Sequence, residues 1–242
     1  MRVLQLIDSL EPGGAERVAI NFANTLAKEI EGSFLCVTRA EGILAKNIDA
    51  AVGYTFLNKK STIDIKAIKV LNRFIKFNNI DLIHAHSTSY FLATIIKILN
   101  PKLKLIWHDH YGESEFLNSR PKRILGICSH FFNHVFVVNS KLKVWAKKHL
   151  KIKSIRYLAN YAMLRTIPSE ETRLKGQHGK RVVCLANLRP QKDHLNLLKA
   201  FSKVMKMYPD WTLHLIGKIF YDNYSKSIFQ FIKKENLSQI FQ

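Results

Sequence analysis

Acidic residues are scarce in this chain. Of its 242 residues, 18 are Asp or Glu and 38 are Lys or Arg, so the formal charge is +20 with histidine taken as neutral. This excess predicts an anionic partner, and it leaves nucleotide phosphates, nucleic acid and an acidic membrane face open. The apolar fraction of 47% is that of an ordinary globular protein, which argues against a mainly disordered chain.

Cysteines and long apolar runs are also few. The three cysteines, Cys36, Cys128 and Cys184, are odd in number and follow no metal-binding spacing. No stretch reaches the roughly 18 uncharged apolar residues that a membrane-spanning helix needs, and the apolar run at residues 3–7 is too short for a signal peptide. We therefore expect free thiols and a cytoplasmic location.

Short apolar runs alternate with helical patterns along the chain. Strands that are almost continuously apolar and alternate with helices predict an α/β fold, with a parallel sheet that helices cover on both faces. Such sheets bind ligands beyond the carboxyl ends of their strands, so the loops that follow the strands are where a site is expected. The predicted strands of the first part are Val3–Ile7, Phe34–Val37, Tyr54–Leu57, Asp81–His86, Leu103–Trp107, Val135–Val138 and Ile155–Leu158.

The strand-and-helix pattern restarts after a polar connection. Residues 1–162 form the predicted first domain, 163–179 a linker, and 180–242 the start of a second α/β domain. The last part is short, because an independent domain usually has about 100–150 residues. We therefore expect the second domain to be incomplete.

Two glycines follow the first predicted strand. Gly13 and Gly14 open the next helix, where they would let a ligand approach the backbone and would leave N–H groups for an anion. The spacing is not the dinucleotide-binding fingerprint, because the third glycine is missing. A plain tight turn, with Glu16 favourable near the helix start, is the alternative.

A loop with two histidines and two acids follows the fifth predicted strand. In His108–Glu113, either Asp109 or Glu113 would orient a histidine for proton transfer or hydrogen bonding. A metal site is the weaker interpretation because no third ligand is evident. A polar loop with surface histidines is the alternative, and we expect His84 and His86, at the end of the preceding strand, to cap or line the sheet.

A basic loop follows the first strand of the second domain. Arg189 and Lys192 would lie beside a helix N-terminus, an arrangement suited to a diphosphate. Asp193 is well placed to cap that helix. A solvated basic loop is the alternative.

One long segment contains no acid. Between Glu115 and Glu170 there are eleven Lys or Arg residues, seven of them within Lys141–Arg156. A basic helix that carries tryptophan predicts contact with an anionic membrane surface, with a solvated helix face as the alternative. The hypothesis of a nucleic-acid partner is supported by charge alone and by no binding motif, so we expect no such partner. The residues assigned to the membrane surface are Lys141, Lys143, Trp145, Lys147, Lys148 and Lys151.

Taken together, these elements resemble the family 4 glycosyltransferases, whose GT-B fold has two facing Rossmann-like domains. The order and spacing of several motifs carry the resemblance, which runs over nearly the whole chain. These motifs are Pro12–Arg17, Asp81–His86, His108–Gly112, Tyr157–Asn160, Asn187–His194 and Trp211–Gly217.

The resemblance implies that a sugar is transferred from a nucleotide-sugar to a glycan or lipid-linked acceptor, with retention of configuration, in surface polysaccharide synthesis. It implies no metal and no other cofactor. By position, Arg189 and Lys192 stabilise the leaving diphosphate. Gly13 and Gly14 bring backbone N–H groups near the donor. We expect a cytoplasmic protein, peripheral to the inner membrane face.

The resemblance also assigns residues to the reacting sugar. His110 is the expected catalytic contact at the end of the fifth strand, and His108 lies only two positions away. His108 and Glu16 are the further expected contacts to sugar or acceptor.

The second domain departs from the family pattern. The family carries two glutamates separated by seven residues, which contact the donor, and this chain has no such pair. We therefore expect a truncated reading frame or a second chain that completes the donor domain, and weak or no transfer by this chain alone. A non-catalytic or partner-dependent acceptor-binding subunit of the same fold is the alternative function.

Overall fold

The computed structural model describes residues 1–152, 154–161, 173–237 and 240–241. The chain divides into two compact units, Met1–Leu164 and Arg165–Gln242. Each unit is built around a parallel sheet. Of the expected linker at 163–179, residues 163–172 lie outside the described residues.

A seven-stranded parallel sheet forms the centre of the first unit. Its order is β3-β2-β1-β4-β5-β6-β7, and the order reverses between β1 and β4. Doubly wound sheets form their ligand crevice at such a reversal. The strands are β1 (Arg2–Ser9), β2 (Gly32–Ala40), β3 (Gly53–Phe56), β4 (Leu82–His86), β5 (Lys104–Asp109), β6 (His134–Val137) and β7 (Ile155–Tyr157).

Helices cover both faces of this sheet. Leu35 and Cys36, neighbours on β2, belong to two different core clusters because successive strand residues point to opposite faces. The first helix packs on the face of Leu35 and the others on the face of Cys36. The helices are α1 (Gly14–Leu26), α2 (Ile65–Phe77), α3 (Tyr90–Leu99), α4 (Arg123–Cys128) and α5 (Ser140–His149).

The second unit begins another sheet of the same kind. Its strands β8 (Arg181–Leu185), β9 (Thr212–Ile216) and β10 (Ile240–Phe241) are parallel, in the order β10-β9-β8. Two helices, α6 (His194–Met207) and α7 (Asn223–Lys234), pack against it. Among the residues that the structure describes, none of the helices has the length and apolar character needed to span a bilayer.

A buried ion pair fixes the loop that follows β5. Arg120 donates from Nη1 to Asp109 Oδ2 at 2.7 Å and from Nη2 to Asp109 Oδ1 at 2.8 Å, and both side chains are buried. The guanidinium carbon lies 4.2 Å from the ring centre of Tyr111 and 4.3 Å from that of Trp145. Burial raises the pKa of the Asp109 carboxyl, and the hydrogen bonds from Arg120 oppose that change. Asp109 therefore binds Arg120, and the expectation that it would orient a histidine is wrong.

The expectation that Trp145 lies at a membrane surface is also wrong. Trp145 is 6% exposed, and with Leu142 and Ala146 it forms the buried stripe of α5. Residues spaced three and four apart share one helix face, so the tryptophan lies in the core against Arg120. The lysines lie elsewhere on the segment: Lys143 is half-buried, and the exposed ones are Lys141, Lys147, Lys148 and Lys151.

We predict that replacing Arg120 by methionine lowers the free energy of unfolding by about 3–5 kcal/mol, because the Asp109 carboxylate would remain buried without a counter-charge. Urea denaturation followed by circular dichroism measures this loss. The matched control is Lys141→Met, which removes one partner of the exposed pair with Glu115. Exposed pairs contribute about 0–1 kcal/mol, so equal losses from the two variants would contradict the prediction.

Candidate functional site

Four histidines meet on one face of the first unit's sheet. His84 and His86 are two residues apart on β4, so both side chains point to the same face. His108 on β5 is in register with His86, and His110 follows β5 by one residue. We call these four residues the histidine cluster. It lies at the carboxyl ends of two strands beside the reversal of strand order.

The rings of the cluster pack against one another and beneath α1. Ring centres are 4.4 Å apart for His84 and His86, 5.3 Å for His84 and His108, and 4.0 Å for His108 and His110. The ring of Phe22, from α1, lies 5.1 Å from that of His84 and 6.2 Å from that of His108. The cluster is therefore held between the sheet and an aromatic side chain.

A chain of hydrogen bonds runs through the cluster. His86 Nε2 lies 2.9 Å from Gln5 Oε1, and His86 Nδ1 lies 3.1 Å from His110 Nε2. An amide oxygen can only accept, so with Gln5 placed in this way His86 carries its proton on Nε2. His86 Nδ1 then accepts from His110 Nε2–H. His110 Nδ1 is left without a hydrogen-bond partner among the described residues.

Burial keeps the cluster uncharged. Loss of solvation lowers the pKa of His84 to about 3, that of His108 to about 2 and that of His110 to about 4. The same cause lowers the pKa of His86 well below its ordinary value, and neighbouring histidines add to the effect. At neutral pH these rings are therefore neutral, and each keeps one nitrogen lone pair.

His110 is also the member of the cluster that lines a cavity. The cavity has a volume of about 190 Å³ and opens at the ends of β4 and β5, where Thr88, Tyr111 and Arg120 line it together with His110. His110 is half-buried, whereas His108 is 1% exposed. A molecule in the cavity would meet His110 and not His108.

The two glycines stand where the sequence places them, at the start of α1. Gly13 precedes the first helical residue, Gly14, and both are exposed. The carboxylate of Glu16 lies so close to Gly13 that a side chain there would collide with it. Asn160 lies on the other side, with its amide nitrogen 3.9 Å from the position that a Cβ on Gly14 would take. The helix start is thus open but already carries one negative charge.

In the second unit, cations gather after β8 and β9. Arg189 and Lys192 are both exposed. Arg189 precedes the short turn Pro190–Lys192, and α6 begins two residues after that turn. The guanidinium carbon of Arg189 lies 4.1 Å from the ring centre of Phe220, and Lys218 Nζ lies 5.8 Å from the same point. Lys218 was not assigned from the sequence, since it follows a different strand and only the fold brings it beside Arg189.

The two loops that carry these cations are joined by two hydrogen bonds, one to the side chain of Asn187 and one between backbones. Lys218 N donates to Asn187 Oδ1 at 2.9 Å, and Leu188 N donates to Lys218 O at 3.0 Å. Gly217 allows this approach, because a Cβ at that position would collide with the backbone of Ala186. The cations are therefore held on one joined framework.

Asp193 does not cap α6 as expected. It stands at the N-cap position with a left-handed backbone, φ 48°, and its side chain makes no capping hydrogen bond. The N–H of His194 instead donates to the hydroxyl of Tyr224 at 2.8 Å. The residue is at the right position, but the capping group comes from α7.

The structure brings together three histidines that could serve as metal ligands, a set that the sequence did not show. His84, His86 and His108 each offer a ring nitrogen, and these atoms lie within 4.8 Å of one another. The sequence suggested a metal only in the loop after β5, and the β4 histidines were expected to line the sheet. The sequence does contain a sign of this arrangement. Side chains two residues apart in a strand point to the same face of the sheet, so histidines with that spacing on two adjacent strands can meet.

We predict that the free energy of unfolding falls as the pH is lowered below about 6.5. An unfolded histidine binds a proton with a pKa near 6.5, whereas the cluster stays neutral when folded, so the unfolded state binds more protons. The stability is complete above that pH and decreases toward the folded pKa values, by up to about 1.4 kcal/mol per pH unit for each histidine.

Urea denaturation between about pH 7.5 and 5.5 tests this prediction. The variant His84→Phe should show a shallower dependence because one buried titrating ring is gone. The control His130→Gln changes an exposed histidine and should leave the dependence as it is. A stability that does not vary with pH over this range would contradict the prediction.

Known proteins resemble this chain over most of its length. A glycosyltransferase of Haemophilus influenzae, described as uncharacterized, is 27% identical over 218 residues, which are 85% of this chain and 58% of that protein. The structure of Anabaena HepE in complex with UDP and glucose matches with a TM-score of 0.74 at 18% identity, over 100% of this chain and 70% of that one. The lipopolysaccharide outer core galactosyltransferase WaaB, in its apo form, matches with a TM-score of 0.62 at 15% identity, over 100% and 68%. At these identities the two structures show the fold.

The match to a family model is more direct. The model of Glycosyltransferase Family 4 covers residues 12–160, more than half of the chain. That range includes both glycines at the start of α1 and the whole histidine cluster. The resemblance and the GT-B-like α/β fold predicted from the sequence are confirmed, and the chain belongs to glycosyltransferase family 4.

Proposed function

We propose that this chain serves the transfer of a sugar from a nucleoside-diphosphate sugar to a glycan or lipid-linked acceptor in surface polysaccharide synthesis, with retention of configuration. The observation that carries the proposal is the joined group of Arg189, Lys192 and Lys218 after β8 and β9. HepE was crystallised in complex with UDP and glucose, and WaaB is named as a galactosyltransferase of lipopolysaccharide. These two proteins support the donor and acceptor classes proposed.

The second unit is proposed to bind the diphosphate. Negative charge gathers on the leaving diphosphate as the bond to the sugar breaks, and fixed cations aimed at that charge lower the barrier. Arg189 would bind phosphate oxygens through two parallel N–H donors, and Lys192 and Lys218 would act as point charges. With three cations assigned to this role, the proposed transfer needs no metal ion and no other cofactor.

His110 is proposed as the catalytic contact to the sugar. Its Nε2 is engaged with His86, its Nδ1 has no partner among the described residues, and the ring lines the cavity at the ends of β4 and β5. Nδ1 is itself shielded from solvent, so a turn of the ring toward the cavity would let this neutral nitrogen accept a hydrogen bond from a sugar hydroxyl. The burial of His108 favours His110 over His108 for this role.

The glycines at the start of α1 are proposed to meet hydroxyl groups. Because the carboxylate of Glu16 lies against Gly13, a second negative charge there would be repelled. Backbone N–H groups at Gly13 and Gly14 would instead bind neutral oxygens of the sugar or the acceptor. Glu16 would accept from a hydroxyl at the same place.

An anionic membrane is the proposed setting for a lipid-linked acceptor. Ile124 and Ile127 of α4 are 58% and 66% exposed. Lys151 follows α5, and its backbone N donates to the Oγ of Ser129, at the end of α4, at 2.8 Å. Apolar and basic side chains on neighbouring segments are what a peripheral protein presents to anionic lipid. The lysines remain in this proposal, and Trp145 does not.

The donor proposal predicts that this chain binds a nucleoside diphosphate. In titration calorimetry with UDP, GDP and ADP, at least one should bind. The double variant Arg189→Met and Lys192→Met should weaken that binding at least about tenfold, since each charge-assisted hydrogen bond contributes about 1.5–3 kcal/mol. The matched control Lys199→Met removes an exposed cation from the middle of α6 and should have no effect. The proposal is wrong if no nucleotide binds or if the control weakens binding as much.

The membrane proposal predicts salt-sensitive binding to anionic vesicles. In flotation, the protein should rise with phosphatidylcholine vesicles that contain phosphatidylglycerol and not with phosphatidylcholine alone. Replacing Lys147, Lys148 and Lys151 by glutamine should reduce the bound fraction at least about tenfold, because each lysine near the surface contributes about 1 kcal/mol.

A second triple variant controls for net charge. Lys199, Lys203 and Lys206 are exposed on α6, and replacing them by glutamine removes the same charge from the second unit. This variant should float with the vesicles as the unchanged protein does. If both triple variants lose binding equally, the attraction is that of overall charge and not of a surface on α5.

A further inference from the structure

We propose that the histidine cluster of His84, His86, His108 and His110 is a binding site for a single divalent transition-metal ion of the zinc class. The site lies in the first unit, whereas the cations assigned to the diphosphate belong to the second. The ion takes no step in the proposed transfer, although the site shares His110 with the proposed sugar contact.

The distances between ring nitrogens fit one ion. Zinc lies about 2.0–2.1 Å from histidine nitrogen in a tetrahedral site, so two ligating nitrogens are about 3.3 Å apart. His86 Nδ1 and His110 Nε2 are already 3.1 Å apart, and an ion bound by both would take the place of the hydrogen bond between them, with the His110 proton moved to Nδ1. The ligand atoms of His84, His86 and His108 lie within 4.8 Å of one another, so modest ring rotations would close the site.

Buried nitrogens without partners point to the same place. His84 Nε2 and both ring nitrogens of His108 lack a hydrogen-bond partner among the described residues. The two side chains are 5% and 1% exposed. Buried polar atoms in folded proteins are almost always bonded. A metal ion among them would satisfy one nitrogen of each ring at once.

Gln5 adds the support that metal-binding histidines usually have. The Nε2–H of His86 donates to the amide oxygen of Gln5 at 2.9 Å, and Gln5 is completely buried. A ligating histidine commonly gives its second N–H to such an acceptor, which fixes the ring and the tautomer. This bond leaves the lone pair of His86 Nδ1 toward the cluster.

The ligand chemistry selects the kind of ion. All four candidate ligands are imidazoles, which suit zinc, cobalt, nickel and copper, whereas magnesium and calcium prefer oxygen. Three histidines, two from one strand and one from its neighbour, leave a fourth position for His110 or for water. Ligands set on adjacent paired strands are held by the sheet, so the site is largely formed before the ion arrives.

Cobalt titration tests the proposal. Protein freed of metal by dialysis against a chelator should bind one equivalent of Co²⁺ with the visible absorption of a tetrahedral complex, and Zn²⁺ should displace it. Zn²⁺ should also raise the melting temperature, because it binds only the folded state. Failure to bind one equivalent of either metal would overturn the proposal.

Variants locate the ion. His84→Phe and His108→Phe should each weaken Zn²⁺ binding at least about a hundredfold, and Gln5→Leu, which keeps all four histidines, should weaken it about 10–100-fold. The double variant His130→Gln and His178→Gln removes exposed histidines and should bind as before. Circular dichroism verifies folding, and Gln5→Leu serves as the test if a phenylalanine variant does not fold. Unchanged binding in the cluster variants that fold, or equal loss in the surface variant, would overturn the proposal.

Discussion

Parallel pairing of β4 with β5 is the constraint on which the rest of the first unit depends. The register sets His86 directly beside His108, and the alternation of side chains along each strand brings His84 and His110 to the same face. Phe22 of α1 then covers the rings and removes them from water. This arrangement explains why the rings of the histidine cluster are uncharged, why they pack closely, and why several of their nitrogens have no hydrogen-bond partner among the described residues.

Strand β5 also carries a charged side chain on the face of the sheet opposite the histidine cluster. Asp109 follows His108 by one residue and therefore turns away from the cluster, where Arg120 neutralises it. Arg120 in turn lies against Trp145 and Tyr111. The alternation of side chains therefore separates the charged Asp109–Arg120 pair from the uncharged, half-buried ring of His110, although Asp109 and His110 are adjacent in sequence.

Much of the fold can be predicted from the sequence, because short stretches of residues indicate individual strands and helix starts. Apolar runs such as Val3–Ile7 mark strands by composition alone, and the glycines at 13 and 14 mark a helix start by chemistry that needs no partner. The family motifs add the order of the elements. All seven predicted strands of the first unit are present, and their ends differ from the predicted ones by at most three residues. The first two strands are longer than predicted because backbone pairing continues beyond the apolar run.

What the sequence could not supply was the partner of each polar side chain. Asp109 was paired with a histidine because the histidine is adjacent, whereas its true partner is eleven residues away. The lysines around Trp145 predict a surface residue, whereas its i, i+3, i+4 spacing with Leu142 and Ala146 indicates the burial that the structure shows. Lys218 could be found only after β8 and β9 were known to pair.

Gly217 ties together the two segments that carry the cations of the second unit. The absence of a side chain there lets the segments that follow β8 and β9 touch, so that Arg189 and Lys218 share one aromatic platform in Phe220. Neither segment can be lengthened or exchanged alone without separating those charges. If the two segments bind the donor as proposed, a change of donor preference would require exchanging both of them together.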